Sequence, residues 1–258
     1  MSSASFRIVE KRNFRKISGI FFRFLLSDTI NSVLLLLKKN RKYDFDKSKF
    51  TGINLGSSTD NPKGWIGISG GITIFFVNLP SFVLRMVFPF SGRSRKQSFK
   101  EFYAEVKKGK VIHHNLFYGI PYKDNSVPYV FSSHFFEHLT YDSARFLMQE
   151  SFRVIAPGGA VRILVPSLAS EVEKMKEAIR NFESGNIQPV QTFVTEPYED
   201  LQDSFSYHRF MYDVPALKKI ISEAGFSEVE EYQPGQGSFP DLSSLEKRKS
   251  IIVQGIKK

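Results

Sequence analysis

Ser126-Val-Pro-Tyr-Val-Phe-Ser-Ser-His-Phe-Phe-Glu-His-Leu139 leads, through a stretch of helical period, into Glu150-Ser-Phe-Arg-Val-Ile-Ala-Pro-Gly-Gly-Ala-Val-Arg-Ile-Leu-Val-Pro-Ser167. Together these read as strand, polar cluster, helix, Pro-Gly-Gly turn and strand. That succession is one wall of a doubly wound α/β domain, in which ligands sit beyond the carboxyl ends of the parallel strands. Ser132, Ser133, His134, Glu137 and His138 fall at such an end, so chemistry is expected there first.

Working outward, Ala144, Leu147, Met148, Phe152 and Ile155 share a helical face, and Pro157-Gly158-Gly159 is expected to end that helix. Upstream, Lys49 to Leu55 and Trp65 to Ile68 read as strands only nine residues apart. A crossover that includes a helix needs about ten residues or more, so the helix between these strands must be vestigial if they are parallel neighbours. Val111 to Leu116, Val127 to Ser132 and Val161 to Val165 are further strands, and Phe226 to Tyr232 and Ser250 to Ile256 close the chain. Glu171 to Phe182 is helical, with Val172, Met175, Ile179 and Phe182 along one stripe. Asp213 caps another helix, with Pro215 in its first turn, Leu217, Ile220, Ile221 and Ala224 inward, and Gly225 as the stop. Residues 70 to 110 are rich in Phe, broken by Pro80 and Pro89, and carry a basic patch at Arg93, Arg95 and Lys96. They suit an apolar insertion over one sheet edge, a substrate lid or a membrane-facing element.

With 258 residues the chain can form one large domain plus an appendage. It has no cysteine, which excludes disulfides, thiolate metal sites and cysteine nucleophiles and agrees with a cytoplasmic setting. The net charge of +10 is uneven: residues 1 to 49 hold twelve Lys and Arg against four Asp and Glu, and the rest is nearly balanced. A nucleic-acid partner is therefore not expected, because the charge belongs to an extension and not to the site. The organisation expected is a basic amphipathic helical extension over 1–48 and an α/β domain over 49–258. Arg23 and Asp28 break any clean transmembrane span, and no small-residue cleavage site follows the apolar run. Residues 1–42 then form either an amphipathic helix on an anionic membrane, peripheral to its inner face, or a helix packed on the domain.

Several motifs, in order and spacing, resemble class I S-adenosylmethionine-dependent methyltransferases, in particular small ones associated with polysaccharide and lipid-linked glycan biosynthesis. They are Ile53-Asn-Leu-Gly56 with Gly64-Trp-Ile66, Ile120-Pro121, Ser132-Ser-His-Phe-Phe-Glu-His-Leu139, Phe152-Arg-Val-Ile-Ala-Pro-Gly-Gly159, and His208-Arg-Phe-Met-Tyr-Asp213 ahead of Glu223-Ala-Gly-Phe226. The resemblance implies a mostly parallel seven-stranded sheet with a reversed last strand, and S-adenosylmethionine laid across the first strand ends. Cofactor contacts would then fall on Gly56, Ser57, Ser58, Ser69, Asn115, Leu116 and Ser133. The chain departs from the pattern at several of these points. Only the first glycine of a Gly-x-Gly turn is present, Ser69 stands in place of the ribose-binding carboxylate, Asn115 in place of the adenine-side Asp, and Pro128 in place of an acidic residue. Each lost charge-assisted contact weakens binding by about 1.5–3 kcal/mol.

For methyl transfer to a hydroxyl of a glycan or other small molecule, a histidine is the natural general base at neutral pH. His134 follows a strand end, His138 lies one turn later, and Glu137 could orient either imidazole or cap the helix. His208, Arg209 and Tyr212 precede the Asp213 cap and could close over substrate, Arg209 suiting a phosphate or carboxylate. No metal site is expected, because no His-Glu-x-x-His or comparable spacing occurs. The alternative to an enzyme is a non-catalytic binding or scaffold protein that keeps the fold and uses its basic extension to reach a membrane or a biosynthetic partner.

Overall fold

The computed structural model describes residues 29–59, 61–90, 94, 97–183, 208–248 and 250–258. Most of the basic extension, residues 1–28, and the patch at Arg93, Arg95 and Lys96 lie outside the described residues.

Seven strands form one sheet: β1 (Gly52–Leu55), β2 (Trp65–Ser69), β3 (Lys110–His113), β4 (Val127–Ser133), β5 (Ile155–Val165), β6 (Ser227–Glu231) and β7 (Ile251–Ile256). Their order is β3-β2-β1-β4-β5-β7-β6. The first five strands pair in parallel, and β7 runs antiparallel to both β5 and β6. This is the mostly parallel sheet with a reversed last strand that the resemblance implies. The central strands read as continuous apolar runs because both faces of a parallel sheet are covered.

One face packs Ile53, Leu55, Val130, Val161 and Ile163 against helices α5 (Tyr141–Val154) and α7 (Val214–Glu223). Asp213 caps α7 through a bond accepted from the Ala216 N–H at 2.8 Å, and Gly225 follows with φ of 108°. The Pro-Gly-Gly turn corrects an expectation. Helix α5 stops at Val154 because Ile155 turns to an extended ψ of 133° and opens β5 opposite Val127. Pro157-Gly158-Gly159 lies inside that long strand, where the pairing register with β4 shifts between Val127 and Tyr129. Gly159 is needed there because a β-carbon would sit 2.2 Å from the Pro128 carbonyl.

The other face answers the short connection between β1 and β2. Among its described residues no helix forms; buried Asn61 bridges instead, donating to the Trp65 carbonyl at 2.6 Å and the Lys110 carbonyl at 3.1 Å, and accepting from Asn54 at 3.1 Å. The space is filled by Trp65, whose ring lies over Gly52, by Phe131, and by residues from far along the chain. Phe239 stacks on Trp65 at 5.9 Å, and the indole N–H donates to Asp241 at 2.9 Å. This late segment is anchored by an ion pair inside the protein. Arg162 of β5, 0% exposed, meets Glu246 at 2.6 Å, donates to Gln254 at 3.0 Å and stands 5.1 Å from the Tyr232 ring.

Between β2 and the edge strand β3 the described residues form helices α2 (Ile72–Val77), α3 (Ser81–Val87) and α4 (Phe99–Val106), with a small cluster of Leu84, Phe88, Phe102 and Val106. A Ser98–Glu101 capping box starts α4. Helix α6 (Leu168–Glu183) leaves Val172, Met175 and Ile179 exposed.

Candidate functional site

Leu55 and Ser132 are register partners, so the carboxyl ends of β1 and β4 lie side by side. Ser132 ties them by donating to the Leu55 carbonyl at 3.1 Å, and half-buried Ser133 ends β4. After β1 the chain turns through Gly56 with φ of 71°, where a β-carbon would meet the Phe135 ring at 2.2 Å. Ser57 folds its hydroxyl over Gly67 of β2. Ser58 holds φ of 52°, the left-handed region that glycine enters without cost. Gly56 and Ser58 thus both hold positive φ, although the second glycine of a Gly-x-Gly turn is absent.

Ser69 ends β2 half-buried, its carbonyl accepting from the His114 N–H at 3.1 Å. Asn115 uses its side-chain oxygen to accept from the Phe117 N–H at 3.0 Å, capping the 3-10 turn Leu116–Tyr118. Part of the acceptor capacity expected toward adenine is therefore spent on the backbone. Leu116 belongs to the apolar core, so its side chain supports this region from behind and does not line it.

Sequence reasoning allowed a packed helix within residues 1–42 but did not single out the residues that lie over this end. Helix α1, described over residues 29–36, places Asn31, Leu35 and, just beyond it, Lys38 inward. Asn31 donates to the Gly70 carbonyl at 2.9 Å and its oxygen lies 2.9 Å from Nε2 of His113, while Lys38 Nζ lies 3.2 Å from His113 Nδ1. An imidazole protonated on Nε2 alone satisfies both contacts. Burial and the Lys38 charge push the His113 pKa down to about 4, and burial lowers that of His114, whose Nε2 faces the Gly119 carbonyl at 3.0 Å. The spacing Asn31-Leu35-Lys38 was the available signal, hidden within a run of leucines. Ile30, Val33, Leu36 and Leu37 point outward and are exposed.

The polar cluster after β4 is built on a strained turn. His134 has φ of 52° and is held there by its N–H donating to the Leu164 carbonyl at 2.9 Å. Its Nε2 lies 2.8 Å from the Ser250 hydroxyl and its Nδ1 3.4 Å from Glu137. Glu137, in the 3-10 turn Phe136–His138, is 1% exposed, and neither carboxylate oxygen has a hydrogen-bond partner. His138 Nε2 stands 4.0 Å from the same carboxylate.

The fold brings residues 208–212 to this turn. The Arg209 and Phe210 N–H groups donate to the Glu137 carbonyl at 2.7 and 3.2 Å, and Ser167 bridges Tyr212. His208 and His138 rings lie 5.2 Å apart. One ligand atom from each of Glu137, His138 and His208 falls within 4.8 Å of the others, a grouping that sequence spacing cannot show because 70 residues separate the two histidines. Arg209 is exposed. Tyr212 is fully buried against Phe210, and burial, with the charges of Tyr141 and Glu137, pushes its phenol well above the ordinary range. Like Leu116, it backs the site and does not line it.

Residues 91–163 of the chain match a family model described as a methyltransferase domain, a stretch running through α4, β3, β4 and α5 into β5. No curated protein matches the chain in sequence. Among solved structures, a SAM-dependent methyltransferase of Thermotoga maritima is 15% identical with a TM-score of 0.43, over 95% of this chain and 98% of its own. One of Archaeoglobus fulgidus is 12% identical with a TM-score of 0.44, over 90% and 94%. The S-adenosylmethionine-dependent methyltransferase SibL is 13% identical with a TM-score of 0.41, and this chain, covered over 93%, spans 58% of its length.

Proposed function

We propose that this protein is an S-adenosylmethionine-dependent methyltransferase acting on a sugar, glycolipid precursor or other small molecule. The observation that carries the reading is the strand order β3-β2-β1-β4-β5-β7-β6 with β7 reversed, joined to the methyltransferase-domain match over residues 91–163. The cofactor would supply an electrophilic methyl group on a sulfonium. The left-handed turn at Gly56 and Ser58 fits its methionine end, and Ser69 and Asn115 offer neutral hydrogen-bonding groups toward its nucleoside. Catalysis would rest on placing the acceptor within attack distance, beside the histidines that follow β4.

Calorimetric titration with S-adenosylmethionine and S-adenosylhomocysteine tests this directly. Weak binding is expected for the wild type, and Ser69→Asp is expected to tighten it roughly tenfold or more by restoring a charge-assisted acceptor for the ribose. No binding by either protein would overturn the enzyme reading. It would favour the non-catalytic scaffold, which the use of Asn115 as a backbone cap already supports.

The membrane partner belongs to the same proposal. Among the described residues no helix is long and apolar enough to cross a membrane. The outward Ile30, Val33 and Leu37, next to Lys39 and Lys42, suit peripheral binding to an anionic cytoplasmic leaflet, where a lipid-linked acceptor would be presented. Flotation with vesicles containing phosphatidylserine is expected for the wild type and lost in a Val33→Glu, Leu37→Glu variant. Equal flotation of both would sink the idea.

A further inference from the structure

We propose that Glu137, His138 and His208 hold a divalent first-row transition-metal ion at the carboxyl end of β4. A carboxylate removed from water is costly unless it is paired or ligates a cation, yet both Glu137 oxygens are buried without a hydrogen bond. His134 Nδ1 is 3.4 Å away, outside ordinary hydrogen-bond distance. The ligand atoms of Glu137, His138 and His208 already lie within 4.8 Å of one another. Bonds of about 2.0–2.2 Å in a tetrahedral site require ligand atoms roughly 3.3 Å apart, so the widest of the three separations must close by up to about 1.5 Å, within reach of side-chain rotation.

The backbone makes this convergence a property of the fold. Glu137 and the 208–210 segment are tied by two hydrogen bonds to the Glu137 carbonyl, at 2.7 and 3.2 Å. Two imidazoles and one carboxylate select zinc, manganese, iron, cobalt or nickel over magnesium and calcium, which prefer oxygen throughout. His134 is fixed by Ser250 at 2.8 Å and stands 3.4 Å from the Glu137 carboxylate, which leaves that carboxylate to the ion. His208 is exposed, so the remaining coordination positions open toward the solvent side, where an acceptor arrives.

The ion's role rests on the methyltransferase reading. An acceptor hydroxyl bound to the metal loses its proton to solvent more readily. The oxygen lone pair then forms the O–C bond to the methyl group as the C–S bond breaks, and S-adenosylhomocysteine leaves. In this assignment His138 is a ligand and not the general base.

The test is a cobalt(II) titration of the full chain after treatment with a chelator, followed by visible d–d absorption. One equivalent is expected to develop bands that zinc abolishes and magnesium does not. His208→Ala and Glu137→Gln are each expected to weaken binding at least tenfold. Because His208 is exposed, its alanine variant keeps the fold, which far-UV circular dichroism checks. Absence of bands in the wild type, or bands unchanged in His208→Ala, overturns the site. Titration with S-adenosylhomocysteine on the same samples separates the two readings: cobalt bands without cofactor binding uphold the metal site and remove its role in methyl transfer.

Discussion

Replacing Glu246 by alanine is expected to destabilise the protein by about 3–5 kcal/mol, because it strips the counter-charge from a guanidinium that has no access to water. Arg162 is 0% exposed in the middle of the sheet, and Gln254 and the Tyr232 ring cannot neutralise it. Glu246 also accepts from the Gly235 N–H at 2.6 Å, so the substitution frees a loop as well as a charge. For a chain of this size such a loss lowers Tm by roughly 6–20 °C. A double variant, Arg162→Met with Glu246→Leu, is expected to recover most of it, since replacing both charges by apolar groups removes the uncompensated ion. Thermal melts of the two proteins decide the matter, and a Glu246→Ala protein within about 1 kcal/mol of wild type would show that solvent reaches Arg162.

The second large effect is acid sensitivity between about pH 6.5 and pH 4. His113 is 3% exposed, and burial and Lys38 hold its pKa near 4, so the folded protein keeps it neutral where the unfolded chain would protonate it. The unfolded state then binds more protons across that window, and stability is lost as pH falls through it. His114, shifted in the same direction, adds with the same sign. Allowing for solvent screening, His113 contributes about 1–3 kcal/mol, fully present above pH 6.5 and gone below pH 4. Glu150 and Asp124, lowered by Arg153, act the same way at more acid pH. Urea midpoints measured from pH 7 to 4.5 are expected to fall in the wild type and to fall less in His113→Gln. A flat wild-type profile would rule the histidine out.

Much of the architecture was legible because it follows from periodicity and chain length. The β-branched strands and the Asp213 to Gly225 helix announce themselves by local chemistry. Nine residues between two strands leave room for at most a vestigial helix, and among the described residues there is none. The boundary after α5 was misread because proline and glycine serve two purposes: the same Pro-Gly-Gly that can stop a helix here lets β5 change register against β4. The candidate site was half legible. His134, Glu137 and His138 were placed by their position after a strand, whereas the approach of His208 depends on backbone bonds that no local pattern encodes. The burial of Arg162 was equally hidden, since alternation along a strand does not say that both faces are covered. Asn31 and Lys38 escaped notice because polar residues on a helix usually face water.

The missing helix between β1 and β2 also sets an order of events. The flank it would have covered is sealed by Phe239 and Asp241, which reach back to Trp65 across as many as 176 residues of sequence. Pairing β1 with β4 already closes a loop of 77 residues, and the entropy of closing the still longer one must be met before this flank stops exposing its aromatic rings. A nascent chain therefore carries Trp65, Tyr129 and Phe131 without this cover until residues 239–241 have left the ribosome, and during that interval these rings are the part most exposed to aggregation.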